Sequence, residues 1–123
     1  MILVDTSVWV EFLRGSPGAS RLAGLLEQGE VSVHPWVRGE LALGSLGTRR
    51  AGILADLGLL PPAPLVSDDE VLEMIDVRSL AGRGIGWVDA HLLASALVER
   101  SGLWTLDRPL ARAAENLRLR SAT

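Results

Sequence analysis

The chain predicts an α/β fold, a mainly parallel sheet with helices packed over both faces. Three observations point there. Short strand-like runs recur, aliphatic at Ile2 to Val4, alternating at Val31 to His34 and apolar at Leu103 to Leu106, and segments with helical spacing of apolar residues separate them. Glycine and proline punctuate nearly every junction between the two. Strands that alternate with helices must connect by crossovers, which makes neighbouring strands parallel and covers both sheet faces.

Each element has its own signal. After the first strand, Val8, Trp9, Phe12 and Leu13 mark a helix from Ser7 to Arg14 that Gly15 ends. Ser16-Pro17 reads as a helix start, with Leu22, Leu25 and Leu26 on its apolar side and Gly29 as its stop. A helix from Pro35 to Gly47 carries Glu40, although Gly39, Gly44 and Gly47 weaken it by about 1 kcal/mol each relative to alanine. Thr48 to Asp56 continues as a short helix before Gly58.

Pro61, Pro62 and Pro64 restrict Leu59 to Val66 to a short or edge strand. Ser67 with Glu70 matches a capping box ahead of Val71, Met74, Ile75 and Leu80. The glycine-rich loop 82–86 precedes the best helix, Trp87 to Arg100, with Leu92, Leu93, Ala96 and Leu97 on one face and Gly102 closing it. After the last apolar run, Asp107-Arg108-Pro109 starts a helix to about Leu117, and Arg118 to Thr123 adds an edge strand or frays.

Composition limits the function classes. With 123 residues, 48% of them hydrophobic, residues 1–123 form one domain with one core. There is no cysteine, which excludes disulfides, thiolate metal sites and a cysteine nucleophile. No basic stretch precedes the first apolar run, and Asp5 and Glu11 interrupt it, so no export signal is expected. No apolar window approaches the roughly 20 residues of a spanning helix, so no membrane association is expected and the location is read as cytoplasmic.

A net charge of -3 argues against a general polyanion binder, because non-specific nucleic-acid affinity comes from phosphate neutralisation. It leaves room for a nucleic-acid enzyme whose acidic centre is masked by a cation. All twelve basic residues are arginine. That removes a Schiff base, a P-loop and the lysine that a phosphoaspartyl receiver needs.

Local chemistry alone makes Asp5, at the end of a strand and followed by Thr6 and Ser7, an N-cap or turn residue. Three later carboxylates change that reading. Asp107 also ends a strand, Asp89 opens the helix that feeds that strand, and Glu40 lies about one and a half helical turns after the strand ending at His34. Open parallel sheets bind ligands beyond the carboxyl ends of their strands, where strand order reverses. Four carboxylates on that rim would repel one another unless a cation sat among them. Mg²⁺, or alternatively Mn²⁺, is the economical occupant, because hard ions take oxygen ligands and retain waters. Phosphodiester hydrolysis suits such a centre without any protein nucleophile.

Four stretches carry a family resemblance: Asp5-Thr6-Ser7-Val8-Trp9, Arg38-Gly39-Glu40-Leu41, Val88-Asp89-Ala90 with Leu93-Ala94-Ser95-Ala96, and Thr105-Leu106-Asp107. In this order they resemble the motifs of PIN-domain ribonucleases, most of all the VapC toxins of toxin-antitoxin pairs. The resemblance implies a three-layer α/β/α sandwich and a metal-dependent endoribonuclease. It implies Asp5 and Asp89 as metal ligands, Asp107 completing the site, and Glu40 as ligand or as the residue orienting a water. Thr105, with Thr6 or Ser7, would supply supporting hydroxyls. RNA as substrate, a VapB-type antitoxin as partner and a homodimer follow from the same resemblance.

The remaining polar and aromatic residues have structural readings. His91 points away from Asp89 and is exposed or packed, and His34 ends a strand or caps a helix. Each of Trp9, Trp36, Trp87 and Trp104 lies within four residues of a candidate acid. A stacking surface for single-stranded RNA competes there with core packing, which is favoured, Trp36 being the least certain because it shares the face of Glu40. Arg38, Arg49, Arg50, Arg108 and Arg112 are candidates to rim the cleft, Arg108 foremost. The rival to the nuclease is a catalytically weak PIN-like binding module whose acidic pocket receives a basic arm of a partner.

Overall fold

A computed structural model describes residues 1–121. Three parallel strands, β1 (Ile2–Val4), β2 (Val31–Ser32) and β3 (Gly102–Trp104), form a sheet in the order β2-β1-β3. The helices are α1 (Thr6–Leu13), α2 (Arg21–Glu27), α3 (Pro35–Ala42), α4 (Arg50–Leu59), α5 (Asp68–Val77), α6 (Trp87–Glu99) and α7 (Arg108–Asn116). Among the described residues no helix is long and apolar enough to cross a membrane.

Successive strand residues point to opposite faces, and Ile2, Leu3 and Val4 are all buried, so both sheet faces are covered. Their cluster includes Val8 and Trp9 of α1, Val37 and Leu41 of α3, Leu92, Leu93 and Ala96 of α6, and Leu110 and Ala113 of α7. A satellite of Val71, Ala90 and Ala94 fastens α5 to α6. The α/β architecture read from the alternation of elements is the one observed.

The chain leaves β1 for β2 on one side and returns for β3 on the other, so strand order reverses at β1. The register pairs Val4 with Trp104, and the next rung brings the Asp5 N–H to the Trp104 carbonyl at 2.9 Å. Asp5 and Thr105 therefore emerge side by side at the carboxyl edge, where an α/β sheet opens a crevice.

Several boundaries differ from the sequence reading. Helix α3 stops at Ala42 rather than running to Gly47, and Gly47 adopts a left-handed φ of 64° that a helix cannot continue. Helix α4 passes through Gly58, where an added Cβ would meet an Arg38 guanidinium nitrogen at 3.2 Å. The proline-rich stretch makes no strand, only a bridge between Val33 and Pro62. Proline has no N–H, so Val33 is held by Pro61 O and the Ala63 N–H instead.

Gly102 does not close α6. Arg100 does, at a left-handed φ of 58°, and Gly102 is the first residue of β3. Beyond α7 the Leu103 N–H donates to Arg120 O at 2.8 Å, without a further strand over residues 118–121; positions 122–123 of the expected tail lie outside the described residues.

Candidate active site

Asp5 caps α1 and is buried at 7% exposure, held by three donors. The Thr6 N–H donates to its Oδ1 at 2.8 Å, while the hydroxyls of Ser7 and Thr105 donate to Oδ2 at 2.8 and 2.7 Å. Both hydroxyls are themselves fixed, since the Leu106 N–H donates to Ser7 Oγ at 3.0 Å and the Asp107 N–H to Thr105 Oγ1 at 3.0 Å. The carboxylate thus sits in one orientation, as a cap and as part of a network across β1 and β3.

The other candidate acids approach from three separate elements. Glu40, exposed near the end of α3, accepts the Thr6 hydroxyl at 2.7 Å, which ties it to the residue after Asp5. Asp107 caps α7 by accepting the Leu110 N–H at 3.0 Å. Asp89, in the first turn of α6, reaches back to the Gly86 N–H at 3.2 Å. Burial raises the Asp89 pKa above the ordinary carboxylate value; the Gly86 N–H opposes this, and the charges of Asp5, Asp107 and Glu40 add to it. The fold therefore brings all four acids into one electrostatic neighbourhood.

Among the described residues, no three acidic or histidine side chains gather closely enough to hold a metal ion between them. The donor chemistry nonetheless fits a hydrated Mg²⁺, which needs only one or two carboxylates and near-octahedral waters. The Asp89 carboxyl, raised by burial and by three like charges, is a group that a cation would relieve. All four candidate donors are hard oxygens, and neither histidine lies among them.

His34 caps α3 by accepting the Trp36 N–H on Nδ1 at 3.0 Å. Nothing in the sequence joined His91 to the other elements. It is buried at 2% exposure, with Nε2 3.0 Å from Asp68 Oδ1 and its ring centroid 4.2 Å from Trp36 and 4.7 Å from Trp87. This stack joins α3, α5 and α6, the first and last of which carry Glu40 and Asp89. Of the two roles expected for His91, exposed or packed, it takes the packed one, between α6, the preceding α5 and the more distant α3.

The tryptophans divide. Trp9 and Trp104 are core residues at 3% and 4% exposure, whereas Trp87 departs from the core reading at 40%. Two of the rim arginines are engaged elsewhere: Arg49 donates to Leu13 O, and Arg50 to Ala42 O and Gly44 O. They satisfy carbonyls left over at the ends of α1 and α3.

Residues 2–116 match the PIN domain family. Ribonuclease VapC32 of Mycobacterium tuberculosis, from strains CDC 1551 / Oshkosh and ATCC 25618 / H37Rv, is 50% identical over 114 residues, 92% of this chain and 90% of that protein. The crystal structure of FitAcB from Neisseria gonorrhoeae superposes with a TM-score of 0.67, covering 100% of this chain and 97% of that one at 22% identity, a likeness of fold. The extent of these matches makes the chain a member of the PIN-domain family, of the VapC type.

Proposed function

We propose that the protein is an endoribonuclease, the toxin of a type II toxin-antitoxin pair, hydrolysing RNA phosphodiester bonds with Mg²⁺, or Mn²⁺ in its place. The observation that carries the reading is the shared neighbourhood of Asp5, Glu40, Asp89 and Asp107 at the strand switch point, in a chain half identical to a named ribonuclease. When bound, the divalent ion would supply an acidified water and neutralise charge on the phosphate oxygens.

The chain's own groups do the rest. Asp5 and Asp89 would hold the ion, Asp107 would complete the set, and Glu40 would serve as ligand or orient a water. Thr105 and Ser7 fix the Asp5 carboxylate by hydroxyl donation, and Thr6 does so for Glu40. Such outer partners tune ligand orientation and typically matter about 10–100-fold in metal affinity or activity.

An acidic crevice is also a receptor for a basic side chain, which suits control by a VapB-type antitoxin that inserts arginine or lysine. Leu43, Leu59 and Leu65 are exposed apolar side chains available to a homodimer contact. The binding-module alternative gains no support from the relatives, both of which are named ribonucleases.

The test is cleavage of cellular RNA by purified, antitoxin-free protein. Cleavage should require Mg²⁺ or Mn²⁺, vanish in EDTA, and fall more than about 100-fold in Asp5→Asn and Asp89→Asn, beyond the loss typical of supporting partners. Absence of cleavage with either metal, in protein shown to be folded, would turn the assignment to the binding module.

A further inference from the structure

Between the 82–86 loop and α7 lies a pocket of about 390 Å³ lined by Arg83, Pro109, Arg112, Ala113 and Asn116. It holds two guanidinium groups, one amide and no carboxylate, in a chain that has more acids than bases. Arg83 and Arg112 are exposed, and among the described residues neither side chain makes a hydrogen bond or an ion pair. Arg14, Arg49, Arg50 and Arg120, by contrast, are all engaged within the protein.

The walls connect the pocket to the acids. Pro109, Arg112, Ala113 and Asn116 occupy positions i, i+3, i+4 and i+7, one face of the helix that Asp107 caps. The opposite wall is the loop ending at Gly86, whose N–H holds Asp89. That loop closes on α7 at Gly84, which has a φ of 76° and where a Cβ would sit 3.6 Å from Pro109. A positive pocket therefore stands between the two segments that deliver Asp89 and Asp107.

We propose that this pocket is a phosphate subsite, in which Arg83 and Arg112 grip a backbone phosphate of single-stranded RNA flanking the bond to be cut; this rests on the ribonuclease reading. A hydrolytic centre built from four acids repels its own substrate. Cationic groups beside it offset that repulsion and fix the strand's path, and the guanidinium fork matches phosphate oxygens in pairs. Asn116 adds an amide donor to the same wall. The role is positional and independent of sequence, because phosphate carries no base information.

A second basic pocket, about 250 Å³ and lined in part by Arg100, Arg118 and Arg120, provides the control. Arg120 there donates to Met1 O, which places it at the amino ends of the strands, opposite the acids.

The experiment measures anisotropy of a labelled single-stranded RNA of mixed sequence over a series of salt concentrations, in the Asp89→Asn background to suppress turnover. Arg83→Gln and Arg112→Gln should each weaken binding about five-fold and reduce the slope of log K against log salt by about 0.7. Arg118→Gln should change neither. Unaltered affinity and slope in both pocket variants would overturn the subsite, and if the unsubstituted chain still cleaves RNA, the nuclease reading survives that loss. No RNA binding and no cleavage by any form would sink both together. Weakened binding of the antitoxin with RNA affinity intact would reassign the pocket to the protein partner and equally overturn the proposal.

Discussion

At the scale of single residues, Asp5 and Asp89 reach the same crevice in different states. Asp5 accepts from three donors, only one of them on Oδ1, whereas Asp89 is half-buried with one backbone N–H and three acidic neighbours. A raised carboxyl pKa means that the folded protein holds this proton to higher pH than the unfolded chain does. Stability therefore falls as pH rises from the ordinary value near 3.8 through the folded pKa, and the full penalty is present above it. Asp89→Asn keeps an oxygen for the Gly86 N–H and removes the charge. Without metal it should unfold at higher denaturant than its parent at pH 7, with the gap closing toward pH 4, while RNA cleavage is lost. A variant less stable than its parent at pH 7 in EDTA contradicts the account. The identity and order of these acids were readable in the sequence; their partners were not, because the Thr105 to Asp5 bond spans 100 positions.

Among elements, α3 shows how one residue serves two purposes. His34 caps the helix through Nδ1, so the neutral ring carries its proton on Nε2, which is buried without a partner. Burial, with a contribution from His91, lowers the His34 pKa from 6.5 to about 4. In this case the unfolded chain takes up the proton first. Stability is full above pH 6.5 and is lost as pH falls toward 4, by an amount on the order of 3 kcal/mol from this group. His34→Asn retains a good N-cap and should flatten the dependence between pH 6.5 and 5 in urea titrations; an unchanged slope would assign the acid sensitivity elsewhere. The capping role was visible in the His34-Pro35 pair. The lowered pKa was not, because the ring is buried only in the folded chain and because α6 brings His91 to a ring-centroid distance of 6.4 Å. The Ser67 cap is local and was legible in full: the Glu70 N–H donates to Ser67 Oγ at 3.2 Å, and that hydroxyl donates to Glu70 Oε1 at 2.9 Å.

Across the whole molecule, both ends of the chain meet at Gly102. A Cβ there would lie 2.6 Å from Ile2 Cδ1 and 2.7 Å from the Arg120 carbonyl oxygen. The isoleucine tip can rotate away, but Arg120 O is held by the Leu103 N–H. Gly102→Ala should therefore cost about 1–3 kcal/mol of stability by overpacking. Equilibrium urea unfolding checks this, and an unchanged midpoint would mean that the C-terminal segment moves aside freely. A glycine after a helix reads as its terminator. Only the close approach of β1 and the C-terminal segment reveals the steric demand.

The sequence by itself determined the α/β alternation, the helix cap at Ser67, the helix start marked by Pro109, and four acids placed where a parallel sheet presents its carboxyl edge. Apolar spacing, proline, glycine and capping side chains act within a few residues of one another, so a linear reading captures them. The tertiary structure alone decided that Thr105 and Ser7 share one Asp5 oxygen, that Arg49 and Arg50 cap helices, and that Arg83 faces Arg112 across a pocket. Those pairings depend on strand register and on how helices lean across the sheet. Such distances are fixed by packing of the whole core.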